Sequence, residues 1–190
     1  MILPIRVYGD SLLREKTINV TANTDAIQQL IDDMIETMRS AEGVGLAAPQ
    51  IGRTERIFVA DVTPMYDDPG EVAYELPPQP MVFINPQIIW ESEEESEFEE
   101  GCLSIPDIRE LVVRPEKVRL KFLDREFNLQ EIDVSDVVAR VIQHEYDHLE
   151  GILFVDHISA FRRRLLRRKL RDMARGEVEA DYPLHTATTA

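Results

Sequence analysis

The stretch Gln143-His144-Glu145-Tyr146-Asp147-His148-Leu149-Glu150-Gly151 limits most strongly what this chain can become. Histidines four apart lie on one face of an α-helix, one turn above each other. That spacing lets both imidazoles reach one metal ion while the helix fixes their separation. Glu145, beside the first histidine, is close enough to handle a proton on water at such an ion. The plain alternative is two ordinary histidines on an ordinary helix, which requires His, Glu and His to coincide by accident. The pattern points to metal-assisted hydrolysis and is silent on what is hydrolysed.

At 190 residues, 44% of them hydrophobic, the chain is long enough for one domain with a sizeable core. A formal net charge of -15 argues against non-specific nucleic-acid binding by the whole surface, though not against a local basic patch. The single cysteine, Cys102, allows no intrachain disulfide and fits a reducing compartment. Met1 to Arg6 lacks the basic start and apolar core of a signal peptide, and no apolar run approaches the ~18 residues of a membrane span. The expectation is a cytoplasmic protein with no membrane partner.

Before residue 24 the chain reads as irregular, with a short helical turn at 10–14. From Thr24, a plausible N-cap, Ile27, Leu30, Ile31, Met34, Ile35 and Met38 recur at helical spacing. This predicts a helix ending near Gly43, with an apolar stripe that is core. Residues 56–62 and 81–85 predict strands, the second ended by Pro86 and resuming over 87–90 after a bulge or bend. Between them, residues 63–80 read as a long proline-rich loop carrying Asp67 and Asp68. The seven glutamates from Glu91 to Glu100 predict a solvated acidic connection, its last members set apart because they abut the cysteine. Residues 111–113, 117–123 and 127–134 predict strands, the last two joined as a hairpin at 124–126. Ser135 or Asp136 then caps the histidine helix, and Gly151 ends it. A short buried strand is predicted at 152–155. A basic helix follows from about 159 to 174, with Phe161, Leu165, Leu166, Leu170 and Met173 on one side. The predicted fold is α+β: a single domain of antiparallel strands packed around a central metal-binding helix, with an N-terminal helix and a basic C-terminal helix. The catalytic domain spans 1–175 and the tail 176–190 is untethered and flexible.

Two further stretches carry candidate chemistry. Gly43-Val44-Gly45-Leu46-Ala47-Ala48-Pro49-Gln50 is small and glycine-rich, but its spacing is not that of a phosphate loop. It reads either as a helix end running into a tight turn or as part of a site. In a site, the lone amide of Gln50 could donate to a developing oxyanion. Cys102 reads as a small buried hydrophobe, as a nucleophile, or as the third metal ligand. The third reading fits best, because a catalytic site wants three protein ligands and one open position. Gly101 beside it would allow close backbone packing around the metal.

Together with Glu100-Gly101-Cys102-Leu103-Ser104-Ile105-Pro106, these stretches resemble, in order and spacing, the peptide deformylases, from about residue 3 to residue 175. Pro49 stands where the family varies, the 63–80 loop looks longer than its minimal pattern, and the tail beyond 176 is extra. The basic C-terminal helix looks like the branch of the family that ends helically. The resemblance implies removal of the N-formyl group from the starting methionine of new polypeptides, with release of formate. It implies Fe2+ as the working metal, one per chain, with Zn2+, Ni2+ or Co2+ as substitutes; the ligand types alone suit zinc at least as well. It implies Cys102, His144 and His148 as ligands, Glu145 as the proton-transfer residue, and the Leu103 backbone N–H with the Gln50 side chain as oxyanion donors. Gly43, Val44, Gly45, Glu100, Gly101, Val137 and Val141 are candidate substrate-binding residues. The valines read equally as ordinary core.

Rival readings remain at this stage. A zincin-type endopeptidase shares His-Glu-x-x-His but takes its third ligand downstream. The candidates there are His157, nine residues past His148, and Glu177, and the extended glycine and histidine pattern is missing. A ribosome-associated binding module would not need the metal helix. The eight basic residues Arg162, Arg163, Arg164, Arg167, Arg168, Lys169, Arg171 and Arg175 read either as a solvated face or as a contact for ribosomal RNA near the nascent chain, made by the helix at 159–174.

Overall fold

A computed structural model describes residues 1–66 and 77–186. Asp67 and Asp68, in the predicted proline-rich loop, lie outside the described residues. In chain order the regular elements are β1 (Ile5–Arg6), α1 (Asp25–Ser40), β2 (Gly45–Ala47), β3 (Ile57–Ala60), β4 (Met81–Glu91), β5 (Glu95–Cys102), β6 (Ile105–Pro115), β7 (Lys117–Leu123), β8 (Leu129–Ser135), α2 (Asp136–Leu149), α3 (Ala160–Ala174) and β9 (Leu184–His185).

Five strands form an antiparallel sheet in the order β2-β3-β4-β7-β8. Alternation along β3 and β4 explains how it holds two helices. Phe58, Ala60, Met81 and Phe83 face one way and pack with Val138, Ala139, Val141 and Ile142 of α2. Ile57, Val59, Val82 and Ile84 face the other way and pack with Ile27, Leu30, Ile31, Met34 and Met38 of α1. A strand buried on both faces must read as an unbroken apolar run, and Ile57-Phe58-Val59-Ala60 does. Thr24 caps α1, its hydroxyl accepting from the Ile27 N–H at 3.3 Å. Gly151, at φ +73°, stands just past the end of α2, and a side chain there would run into the Arg14 backbone.

The mixed helix-and-sheet domain is as expected, but several segments depart from the reading above. The acidic stretch is not a loop. Residues 95–102 form β5, paired in a two-stranded antiparallel ribbon with β6, which also extends well beyond the predicted 111–113. The glutamates of β5 remain solvated except Glu100, so the charge expectation holds while the secondary structure does not. Residues 45–47 are an edge strand rather than a turn. Pro86 sits within β4, where a register shift between Ile84 and Gln87 absorbs its missing donor. In place of a strand at 152–155 there is a 3-10 turn at Phe154–Asp156. On α3 only Leu170 and Met173 are buried; Phe161 and Leu165 are exposed, and the first turn is held to the body by polar contacts instead, Arg162 to Glu110 and Arg163 to the Val155 carbonyl. Within the tail, the described residues 183–185 are attached to the body: β9 pairs in parallel with β1, and the Ile5 N–H donates to the Pro183 carbonyl at 2.8 Å; residues 187–190 lie outside the described residues.

Candidate active site

The inward face of α2 carries Arg140, His144 and His148 one turn apart. The turn between β5 and β6 brings Cys102 against that face. The Cys102 Sγ lies 3.2 Å from His148 Nε2, and one ligand atom from each of Cys102, His144 and His148 falls within 4.8 Å of the others. A thiolate and two imidazoles at this separation fit the donor set of a mononuclear metal site.

The hydrogen bonds are compatible with that fit. Glu100 Oε2 lies 2.9 Å from His144 Nδ1, so the nitrogen left to a metal is Nε2. Burial disfavours a charged His144, but hydrogen bonds to Cys102 and Glu100 win and push it up; a bound metal would displace that proton. His148 is held well below its ordinary value by burial and by the charge of His144, and so stays in the neutral form a metal requires. Its Nδ1 and Glu145 Oε2 are buried atoms without a hydrogen-bond partner among the described residues. Buried polar atoms rarely stay unpaired, so an orphaned carboxylate oxygen beside three convergent donors marks a place for water or an ion. Burial pushes the Glu145 carboxyl up to about 7, against the pull of His144 and with help from Glu100. A cation bound nearby would draw it back down.

Glu100 is the hub of a buried charge network. Its carboxylate accepts from Arg114 Nε at 2.6 Å and Nη2 at 3.0 Å, and from Arg140 Nη1 at 3.1 Å. Burial works against its charge, but the His144 and Arg114 hydrogen bonds win and hold it well below the usual carboxylate range. Arg114 also donates to Asp147 at 2.7 Å, and Arg140 to the Val112 and Ser96 carbonyls. The network thereby fixes the β5-β6 ribbon on α2 and sets the ring of His144.

The stretch at 43–50 closes the other side. Gln50 Oε1 accepts from the Ala47 N–H at 2.8 Å, which aims Nε2 at Ser104 Oγ (3.2 Å) and Cys102 Sγ (3.6 Å). The amide therefore presents its donor side to the cluster. A Cβ on Gly45 would lie 2.3 Å from Glu145 Oε1, so only glycine lets this backbone approach the carboxylate.

These groups open on a cleft of about 830 Å3. Of the residues selected from sequence, Gly43, Val44, Gly45, Gln50, Glu100, Gly101, Cys102, Leu103, Val141, His144 and Glu145 line it, with His148 buried behind. Val137 is not among them: it is half-buried one turn before Val141, at the N-terminal end of α2, and does not line the cleft. Gly101 does not have its expected role either, since a Cβ there would meet only the Arg109 side chain at ordinary contact distance. His157, the downstream candidate of the endopeptidase reading, faces Asp147 at 2.7 Å, and Glu177 is exposed; neither joins the cluster. Sequence reasoning missed Arg114, Arg140 and Tyr182. Arg140 was findable, because it extends the 144/148 stripe by one turn. Tyr182 gave no local signal.

Fold and site define a hydrolase that works from one face of a buried helix, with a cluster suited to one metal ion. The family model for polypeptide deformylase matches residues 2–164. A peptide deformylase of Salinibacter ruber is 62% identical over 186 residues, covering 98% of this chain and 95% of that protein. One from Flavobacterium johnsoniae is 44% identical, covering 98% and 97%. Among solved structures, the peptide deformylase of Ehrlichia chaffeensis superposes with a TM-score of 0.83 at 36% identity, covering 93% of this chain and 99% of that one. That of Legionella pneumophila gives 0.79 at 41%, covering 93% and 98%. The chain belongs to the peptide deformylase family, hydrolases that remove formyl groups from peptides. Among the described residues no helix is long and apolar enough to cross a membrane.

Proposed function

We propose that the chain removes the N-formyl group from the N-terminal methionine of newly made polypeptides in the cytoplasm, releasing formate and a free α-amine. The observation that carries this reading is the Cys102, His144 and His148 cluster beside a buried Glu145 with an unpartnered carboxylate oxygen at the wall of an open cleft. Cys102, His144 and His148 would hold the metal, with Fe2+ as the working ion and Zn2+, Ni2+ or Co2+ as substitutes. When bound, it supplies Lewis-acid chemistry that makes water a nucleophile at neutral pH.

The chain's own groups do the rest. Glu145 takes a proton from the attacking water at its unpartnered oxygen and returns it to the leaving amine. Negative charge grows on the formyl oxygen, and we assign the Gln50 amide and the Leu103 N–H to meet it; the hydrogen bonds that turn the donor side of Gln50 toward the cluster support its part in this. Glu100 keeps His144 in one tautomer throughout. Val44 and Val141 offer an apolar wall for the methionine side chain. The exposed arginines of α3 are the contact for ribosomal RNA near the nascent chain, where the substrate appears.

Formate release from a formyl-methionyl peptide, set against cleavage of the same peptide without its formyl group, separates this reading from an endopeptidase and from a binding module. Glu145→Gln should keep the metal and lose about 10²–10⁴-fold in rate. Near-normal turnover by that variant with its metal in place would sink the assignment of Glu145.

A further inference from the structure

The turn Cys102-Leu103-Ser104 carries both a candidate ligand and a candidate oxyanion donor, and two chain ends converge on it. Ser104 is held twice: its carbonyl accepts from the Tyr8 N–H at 2.8 Å and its hydroxyl from Gln50 Nε2 at 3.2 Å. Leu103 is held from a different quarter. The Tyr182 hydroxyl donates to the Leu103 carbonyl at 2.8 Å. On its other side the Leu103 side chain lies against Gly43, where a Cβ would come within 2.7 Å of Cδ1. Tyr182 is itself fixed, because two residues on Leu184 pairs with Ile5, and both pack against the cluster under α1. Glu179, Ala180, Asp181 and Tyr182 line the cleft, although they lie beyond the residues matched by the family model.

We propose that residues 179–186 form a strap across the Cys102–Ser104 turn, and that Tyr182 is a positioning residue for the reaction, its hydroxyl holding the Leu103 carbonyl and so restricting rotation at Leu103, whose N–H, in the preceding peptide, is the assigned oxyanion donor. This rests on the reading of Leu103 as an oxyanion donor. A donor acts in the transition state only if its direction is fixed beforehand. Leu103 and Ser104 form the turn beyond the last ribbon pair, Cys102 with Ile105, so no strand partner fixes Leu103. The strap supplies that constraint. One hydroxyl removed should therefore cost chemistry rather than binding.

The test is Tyr182→Phe, which keeps the ring and its packing and removes only the donor. One neutral hydrogen bond corresponds to roughly three- to tenfold. On a formyl-methionyl peptide, kcat should fall by about that factor while KM stays within about twofold. Amide hydrogen exchange at Leu103 and Ser104 should quicken in the same variant. Placing p-aminophenylalanine at 182, which keeps a donor at the same point, should restore both. An unchanged kcat overturns the positioning role, and unchanged exchange overturns the anchor itself. A loss confined to KM, or one that p-aminophenylalanine does not rescue, also overturns it in favour of a merely structural ring. Should the unaltered protein release no formate, the proposed function fails instead, and exchange still decides whether Tyr182 holds the turn.

Discussion

Replacing Arg114 by methionine removes the group that ties the ribbon to α2 through Asp147 and braces Glu100, the partner of His144. Arg114 and Glu100 side chains are only 5% and 4% exposed. Breaking such a pair by deleting one partner costs about 3–5 kcal/mol, because the remaining charge stays buried. Glu100 retains Arg140 and His144, so a loss of about 2–4 kcal/mol is expected for Arg114→Met. With a urea slope of about 2–3 kcal/mol/M, the unfolding midpoint should drop by roughly 1 M at neutral pH. The sign of the pH dependence follows from Glu100. Its carboxyl is held below the unfolded value, so its stabilisation is complete above about pH 4.5 and fades as pH falls further. The gap between the two proteins, measured at equal metal loading, should therefore be widest near pH 7 and narrow below about pH 4.5. Metal affinity should fall about 10–100-fold, since His144 loses part of its orientation. A double-mutant cycle with Glu100→Gln should show strong coupling. Additive losses in that cycle, or a midpoint close to that of the unaltered protein, would refute the account of the network.

Other outcomes follow from the same geometry. Gln50→Ala should slow the chemical step by about 10²–10³-fold with a smaller change in substrate binding; a pure KM effect would make Gln50 a binding residue. Gly45→Ala forces the Glu145 side chain aside, and a displacement of that kind costs up to about 10²-fold in kcat with metal content unchanged. Reversing charge at the exposed Arg164, Arg167 and Lys169 should abolish co-sedimentation with ribosomes at low salt while leaving hydrolysis of a short peptide intact. Unchanged sedimentation removes the docking role of α3.

How much of this was legible in the sequence depends on how local the cause is. His144, Glu145 and His148 are set by one helical period, and α1 by an apolar stripe, so both could be read directly. β3 could be read because burial on two faces leaves an unbroken apolar run. The β5 strand could not. Its residues are mostly solvated glutamates, and its extended form comes from pairing with β6, a partner visible only once the chain has folded back on itself. Arg114 hid for a related reason. In Leu111-Val112-Val113-Arg114 an arginine looks like the solvated end of a strand, yet it follows Val112 inward and finds a carboxylate fourteen residues away in the chain. Tyr182 is the extreme case. Its stretch has neither period nor charge pattern, and what orders it is a two-residue parallel pairing with β1 together with one hydroxyl on Leu103. The histidines therefore announce the chemistry, while the groups that hold it in place come from pairings between distant parts of the chain. Variants at Arg114 and Tyr182 test that second layer, which short-range pattern alone does not expose.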